Sequence, residues 1–111
     1  MLVEGNHDSL MNATMDTDSW LYVIVHRTDG SENIVGQMDT EHHIRFIPAF
    51  LDRNAAHRGA LDMVKSGDRF EIQAIIFEDL TRYAVQGNSM IFLFDDKGAL
   101  VSKMTPSGQP L

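Results

Sequence analysis

Residues 44–94 read IRFIPAFLDRNAAHRGALDMVKSGDRFEIQAIIFEDLTRYAVQGNSMIFLF, and this stretch decides the fold. It writes one pattern twice: an apolar run passes directly into an acid-capped helix. The first instance is Phe46–Ala49–Phe50–Leu51–Asp52, the second Ile72–Ala74–Ile75–Ile76–Phe77–Glu78–Asp79. Asp52 has the chemistry of an N-cap, a carboxylate that accepts from the free amides of the first helical turn. Ala56, Ala60, Met63 and Val64 follow at helical spacing, one apolar stripe on one face. Gly67 suits a left-handed helix end, so the first helix is predicted from about Arg53 to Ser66. Glu78 and Asp79 place negative charge where the second helix dipole favours it. Leu80, Tyr83, Ala84 and Gly87 share one face of that helix, with Gln86–Gly87–Asn88 as its stop. Met90–Phe94 has no polar residue and is predicted as a central strand.

Outward from this core, Trp20–Val25 is aromatic and β-branched on both faces, the mark of an interior strand. Thr28–Asp29–Gly30–Ser31 is turn chemistry, and Asn33–Met38 returns as a weaker strand, giving a β-hairpin. Ile44, Phe46 and Ile47 open the third strand, with Arg45 as its outward exception. Pro48 lacks an amide hydrogen and places that strand at an edge or a bulge. Asp95–Asp96–Lys97–Gly98 closes a second hairpin, and residues 99–104 alternate as a half-exposed last strand.

The expected fold is therefore α+β (mixed α/β). A small mixed sheet of about six strands, in order ββ-βαβαβ-β, carries two helices packed on it. Residues 20–104 form a single αβ domain. Residues 1–19 read as an arm, flexible or packed on a partner, with Met11 and Met15 as alternative translation starts; residues 105–111 read as a tail. Strand–helix–strand crossovers are right-handed. Whether the helices share one face or take one face each stays open. If they share a face, a second subunit could cover the other, and Trp20, Tyr22, Phe92 and Phe94 are the candidate homodimer patch.

The chain has 111 residues, no cysteine, and sixteen acidic against nine basic residues, a net charge of −7. That sign repels phosphate backbones, and the nine cations are scattered, so no nucleic-acid partner is expected. No apolar run is long enough to span a bilayer, and the amino terminus lacks the signature of a secretory signal; the expected setting is the cytoplasm.

Catalytic chemistry is not legible. His42 and His43 are adjacent, which on a strand sends them to opposite faces, and His7, His26 and His57 complete no ligand spacing. The pairs Glu78–Asp79 and Asp95–Asp96 could serve as acid and base or as magnesium ligands, but a helix start and a hairpin turn already account for them. Asp39 and Glu41 join such a set only if the fold brings them near. The isolated glycines form no phosphate loop. The sequence thus assigns no catalytic, metal or cofactor-binding residue and no cofactor.

Ile47–Pro48–Ala49–Phe50 leading into the Asp52 helix, then Phe77–Glu78–Asp79–Leu80 and the strand Ile91–Phe92–Leu93–Phe94, resemble the amino-terminal domain of the SseB-like family of small bacterial proteins. The resemblance covers residues 44–98 and rests on packing motifs. It implies a mixed αβ fold and a non-catalytic accessory role, with another protein as a possible partner. The alternatives are a small-ligand or regulatory domain, with a pocket at the carboxyl ends of strands 44–50 and 70–77, and a metal-dependent hydrolase using Asp39, Glu41, Asp95 or His42.

Overall fold

A computed structural model describes residues 15–111. The elements run β1 (Trp20–Thr28), β2 (Ser31–Ile34), β3 (Gln37–Asp39), β4 (Ile44–Phe50), α1 (Arg53–Met63), β5 (Arg69–Ile76), α2 (Phe77–Gly87), β6 (Met90–Phe94) and β7 (Leu100–Met104). The α+β class is as expected, with seven strands among the described residues in place of six.

The extra strand comes from a splay in the sheet. β1 and β4 pair antiparallel only where Tyr22 and Val23 meet Phe50 and Ala49. Beyond that point they diverge, and the returning chain lines both arms of the gap. β2 runs along β1 from Ser31 opposite Thr28 to Ile34 opposite Val25. Val35 donates its amide to Ile24 O at 2.8 Å, and the chain then turns to run along β4 as β3, Gln37 opposite Phe46. The single weak strand predicted over Asn33–Met38 is thereby broken at Val35–Gly36. In the first hairpin turn, both Asp29 (φ 48°) and Gly30 (φ 81°) are left-handed, which matches the twist of a two-residue connection.

The main strand order is β5-β1-β4-β6-β7, with β4 and β6 parallel and the other pairings antiparallel. The α1 crossover moves from β4 across β1 to β5. The α2 crossover moves back across β1 and β4 to β6. Two right-handed crossovers that travel in opposite directions must lie on opposite faces. The cores agree. Leu21, Val23, Val25, Ile47, Ala49, Ile91 and Leu93 pack with Phe77, Leu80 and Ala84 of α2. Ile24 and Phe50 pack with Ala55, Ala56 and Ala60 of α1. Alternate residues of β1 thus serve alternate cores, which is why its whole run is apolar.

This arrangement removes the premise of the homodimer patch. Tyr22 packs into the α1 core, Phe92 is buried beneath a stack with Phe46 at 4.1 Å, and Phe94 stacks on Phe50 at 5.2 Å. Trp20 alone of the four is largely exposed, at 58 %.

Pro48 does not mark an edge. β4 is interior and Pro48 is fully buried. β3 pairs residues 44–46 and β1 pairs 49–50, so positions 47 and 48 face the gap of the splay on that side. A residue without an amide hydrogen is tolerated where the ladder is already interrupted.

α1 is capped as predicted, Asp52 accepting from Ala55 N at 3.0 Å. It ends at Met63 rather than Ser66, because Val64 is extended and Lys65–Ser66–Gly67 form a turn with Gly67 at φ +93°. α2 is started differently from the expectation. Ile76, its N-cap residue, supplies no side chain. Phe77 N and Glu78 N instead donate to the carbonyls of Ser19 (2.8 Å) and Thr17 (3.0 Å). Residues 15–19 therefore belong to the domain, and Met15 packs against the α2 core. The rest of the predicted arm, residues 1–14, lies outside the described residues.

The predicted tail is also part of the fold. Thr105 N donates to Gln109 O (2.8 Å), Leu111 N donates to Lys103 O (3.0 Å), and Pro110 bridges to Met104. Pro106, Ser107 and Gly108 reverse the chain, with Gly108 at φ +92° and buried against Phe77. Turn chemistry alone reads as loop; it does not reveal that the chain folds back on its own edge strand.

Candidate functional site

Of the four residues proposed for a hydrolase, Asp95 stands apart from the other three. Asp39, Glu41 and His42 do converge, with ligand atoms all within 4.8 Å of one another. Yet Asp39 Oδ1 accepts from the amides of Glu41 (3.1 Å) and His42 (3.3 Å), and Oδ2 lies 3.0 Å from His42 Nδ1. The carboxylate closes a turn between β3 and β4. The His42 ring bond is the main reason its carboxyl sits below the usual range. His43 follows in that turn at φ +55°, not on a strand. Asp95 is at the opposite end of the sheet, because β4 runs from this turn to Phe50, which lies beside Phe94. Seven residues of strand set the two apart by roughly 20 Å.

The other polar candidates hold backbone. Asp95 Oδ1 accepts from Lys97 N and Ala99 N, each at 2.9 Å, and the Ala99 amide foremost pulls its carboxyl below the usual range. Glu78 and Asp79 pair with Arg82 at 3.5 and 3.3 Å on the exposed side of α2. His57 packs 5.6 Å from the Phe70 ring. His26 Nε2 lies 3.2 Å from Asp68 Oδ2 but is too poorly aligned for a hydrogen bond. His7 falls outside the described residues.

These carboxylates give the fold an acid limit. Asp39, Glu71 and Asp95 all have folded pKa values lowered from their ordinary ones; for Glu71 the main cause is the Arg27 guanidinium. A lowered folded pKa adds stability that is present above the unfolded value, about 4, and is lost as pH falls through the folded value. The melting temperature is expected to hold near neutrality and fall below about pH 4. Asp95→Asn keeps an acceptor in the turn but removes the titration, so it should flatten that fall; an unchanged acid profile would refute the role of Asp95.

Nor do the helix starts form an anion site. Asp52 occupies the start of α1, and chain carbonyls take the first two amides of α2. A recess lies at the other end of the sheet, where β4 begins and α2 ends. It measures about 540 Å³. Ile34 and Ile47 are its apolar wall, Met38 and Tyr83 are exposed at its rim, and Gln86 and Arg45 add polar groups. It adjoins the splay of β1 from β4, and Gly36 is among its lining residues. Arg45 was legible as the charged exception in an apolar strand; the distant partners of the recess, Tyr83 and Gln86, were not.

No helix among the described residues is long and apolar enough to cross a membrane. Comparison with protein-family models, curated proteins and solved structures finds no match to this chain.

Proposed function

We propose that this chain is a small accessory module that acts by binding, not by catalysis, and that the recess between β3, β4 and the carboxyl end of α2 is its binding surface. One observation carries the reading: Asp39, Asp52 and Asp95 are bound to backbone amides, whereas the recess groups Arg45, Tyr83 and Gln86 surround a concavity of ligand size. The resemblance of residues 44–98 to SseB-like domains implies the same accessory role. Lack of cysteine fits a cytoplasmic setting.

A thermal-shift screen against amino acids, nucleotides, short peptides and divalent ions tests the reading. A ligand present well above its dissociation constant stabilises the folded state, and a rise of several degrees without turnover is expected. Metal-dependent hydrolysis that disappears in His42→Ala or Asp39→Ala would overturn it in favour of the hydrolase.

Homodimerisation is a second reading, and the outer edge of β5 favours it. Ile24 turns its carbonyl toward Val35, so its partner in β5, Ile72, directs its own backbone groups outward. Arg53 Nη1 covers that carbonyl at 3.1 Å, while β5 continues to either side without a bulge. Light scattering that finds only monomer at micromolar concentration removes this reading.

A further inference from the structure

The charges around the recess narrow what it can hold. Among the described residues, Arg45 is the only formally charged one lining it, in a chain of net charge −7. Among the described residues Arg45 takes part in no ion pair. A planar guanidinium at the rim of a partly apolar recess is matched by an anion that can accept from two of its N–H groups at once. The opposite wall is the carboxyl end of α2, Gln86 and Gly87, where the helix dipole leaves partial negative charge.

An anionic group is therefore favoured at the β3–β4 side and disfavoured at the α2 side. The apolar wall of Ile34 and Ile47, with Met38 and Tyr83 at the rim, takes an uncharged body of aliphatic or aromatic carbon. A dianionic phosphate gains less here than a monoanion. Its second charge meets the helix carboxyl end and the acidic surface, and no second cation is present in the lining among the described residues.

We propose that the recess is selective for a monocarboxylate with an apolar body, its carboxylate bound by Arg45 and its body lying against Ile34, Ile47 and Tyr83. This inference rests on the binding-module reading and specifies the ligand class of that same site.

The test titrates the full chain with phenylacetate, with its neutral amide phenylacetamide, and with phenyl phosphate, following backbone amide resonances by NMR. Phenylacetate is expected to shift the amides of Gly36, Met38 and Gly87. Phenylacetamide should bind about tenfold or more weakly, the loss that follows from removing a charge-assisted hydrogen bond. Arg45→Gln should weaken phenylacetate by a similar factor and leave phenylacetamide unchanged. Arg45 is an exposed strand residue, so the variant is expected to fold, as its unchanged remaining spectrum would verify.

Equal binding of acid and amide, or an Arg45→Gln variant that binds phenylacetate undiminished, overturns the acid class and leaves the binding module standing. Tighter binding of phenyl phosphate overturns the carboxylate preference alone. If none of the three probes moves a recess amide at about 10 mM, the inference fails, and the recess fails as a small-molecule site with it.

Discussion

Phe50→Ala is expected to cost about 3–5 kcal/mol of folding stability, the range for deleting a buried aromatic ring. Phe50 is 2 % exposed, stacks on Phe94 at 5.2 Å, and is the largest residue of the core beneath α1. Its neighbours on the helix are Ala55, Ala56 and Ala60, too short to close over the cavity. Gly59 shows how near the helix lies: a Cβ built there would sit 2.7 Å from the ring. Gly59→Ala therefore overpacks the site, at about 1–3 kcal/mol, against a helix-propensity gain of about 1 kcal/mol. In the Phe50→Ala background the obstruction is absent, and the same methyl group should stabilise. Urea midpoints at an unchanged slope measure both effects. A Gly59→Ala change of equal size in both backgrounds would refute the contact.

Leu80→Ala is expected to cost about 2–5 kcal/mol. Leu80 is wholly buried on α2, in the core built by Leu21, Val23, Ile47, Ile91 and Leu93. The informative quantity is its combination with Phe50→Ala. The two side chains lie on opposite faces of the sheet and belong to separate clusters, so their costs should add to within about 0.5 kcal/mol. The sum approaches the whole stability of a domain of this size, roughly 5–15 kcal/mol, and the double variant should be largely unfolded. A large coupling between the two would mean that both helices pack on one face.

Local chemistry was the legible part. Asp52 reads as an N-cap because its carboxylate reaches an amide three residues on, and that bond forms. Asp29–Gly30 reads as a hairpin turn because those residues tolerate positive φ, and Asn88 ends α2 for the same reason. The same kind of local bond occupies the acids that could have served chemistry: Asp95 and Asp39 are bound to amides two to four residues away, within reach of sequence reasoning.

The features without a local signal depend on partners far along the chain. Thr17 and Ser19 cap a helix about sixty residues later, and nothing in their own neighbourhood signals it. Pro48 obeys its rule, but the interruption in the ladder is made by the divergence of β1, not by a sheet edge. The last seven residues have loop composition, and only the outer edge of β7 gives them a place to dock.

The unbroken apolar run Trp20–Val25 and the stripes of α1 and α2 are properties of single segments, and they establish the two-helix αβ architecture before any contact is known. Strand order is a property of pairs. Placing β5 outside β1 sends the two crossovers in opposite directions and sets one helix on each face. A segment's own chemistry can specify its shape, but the side on which it is covered is decided by the elements it meets.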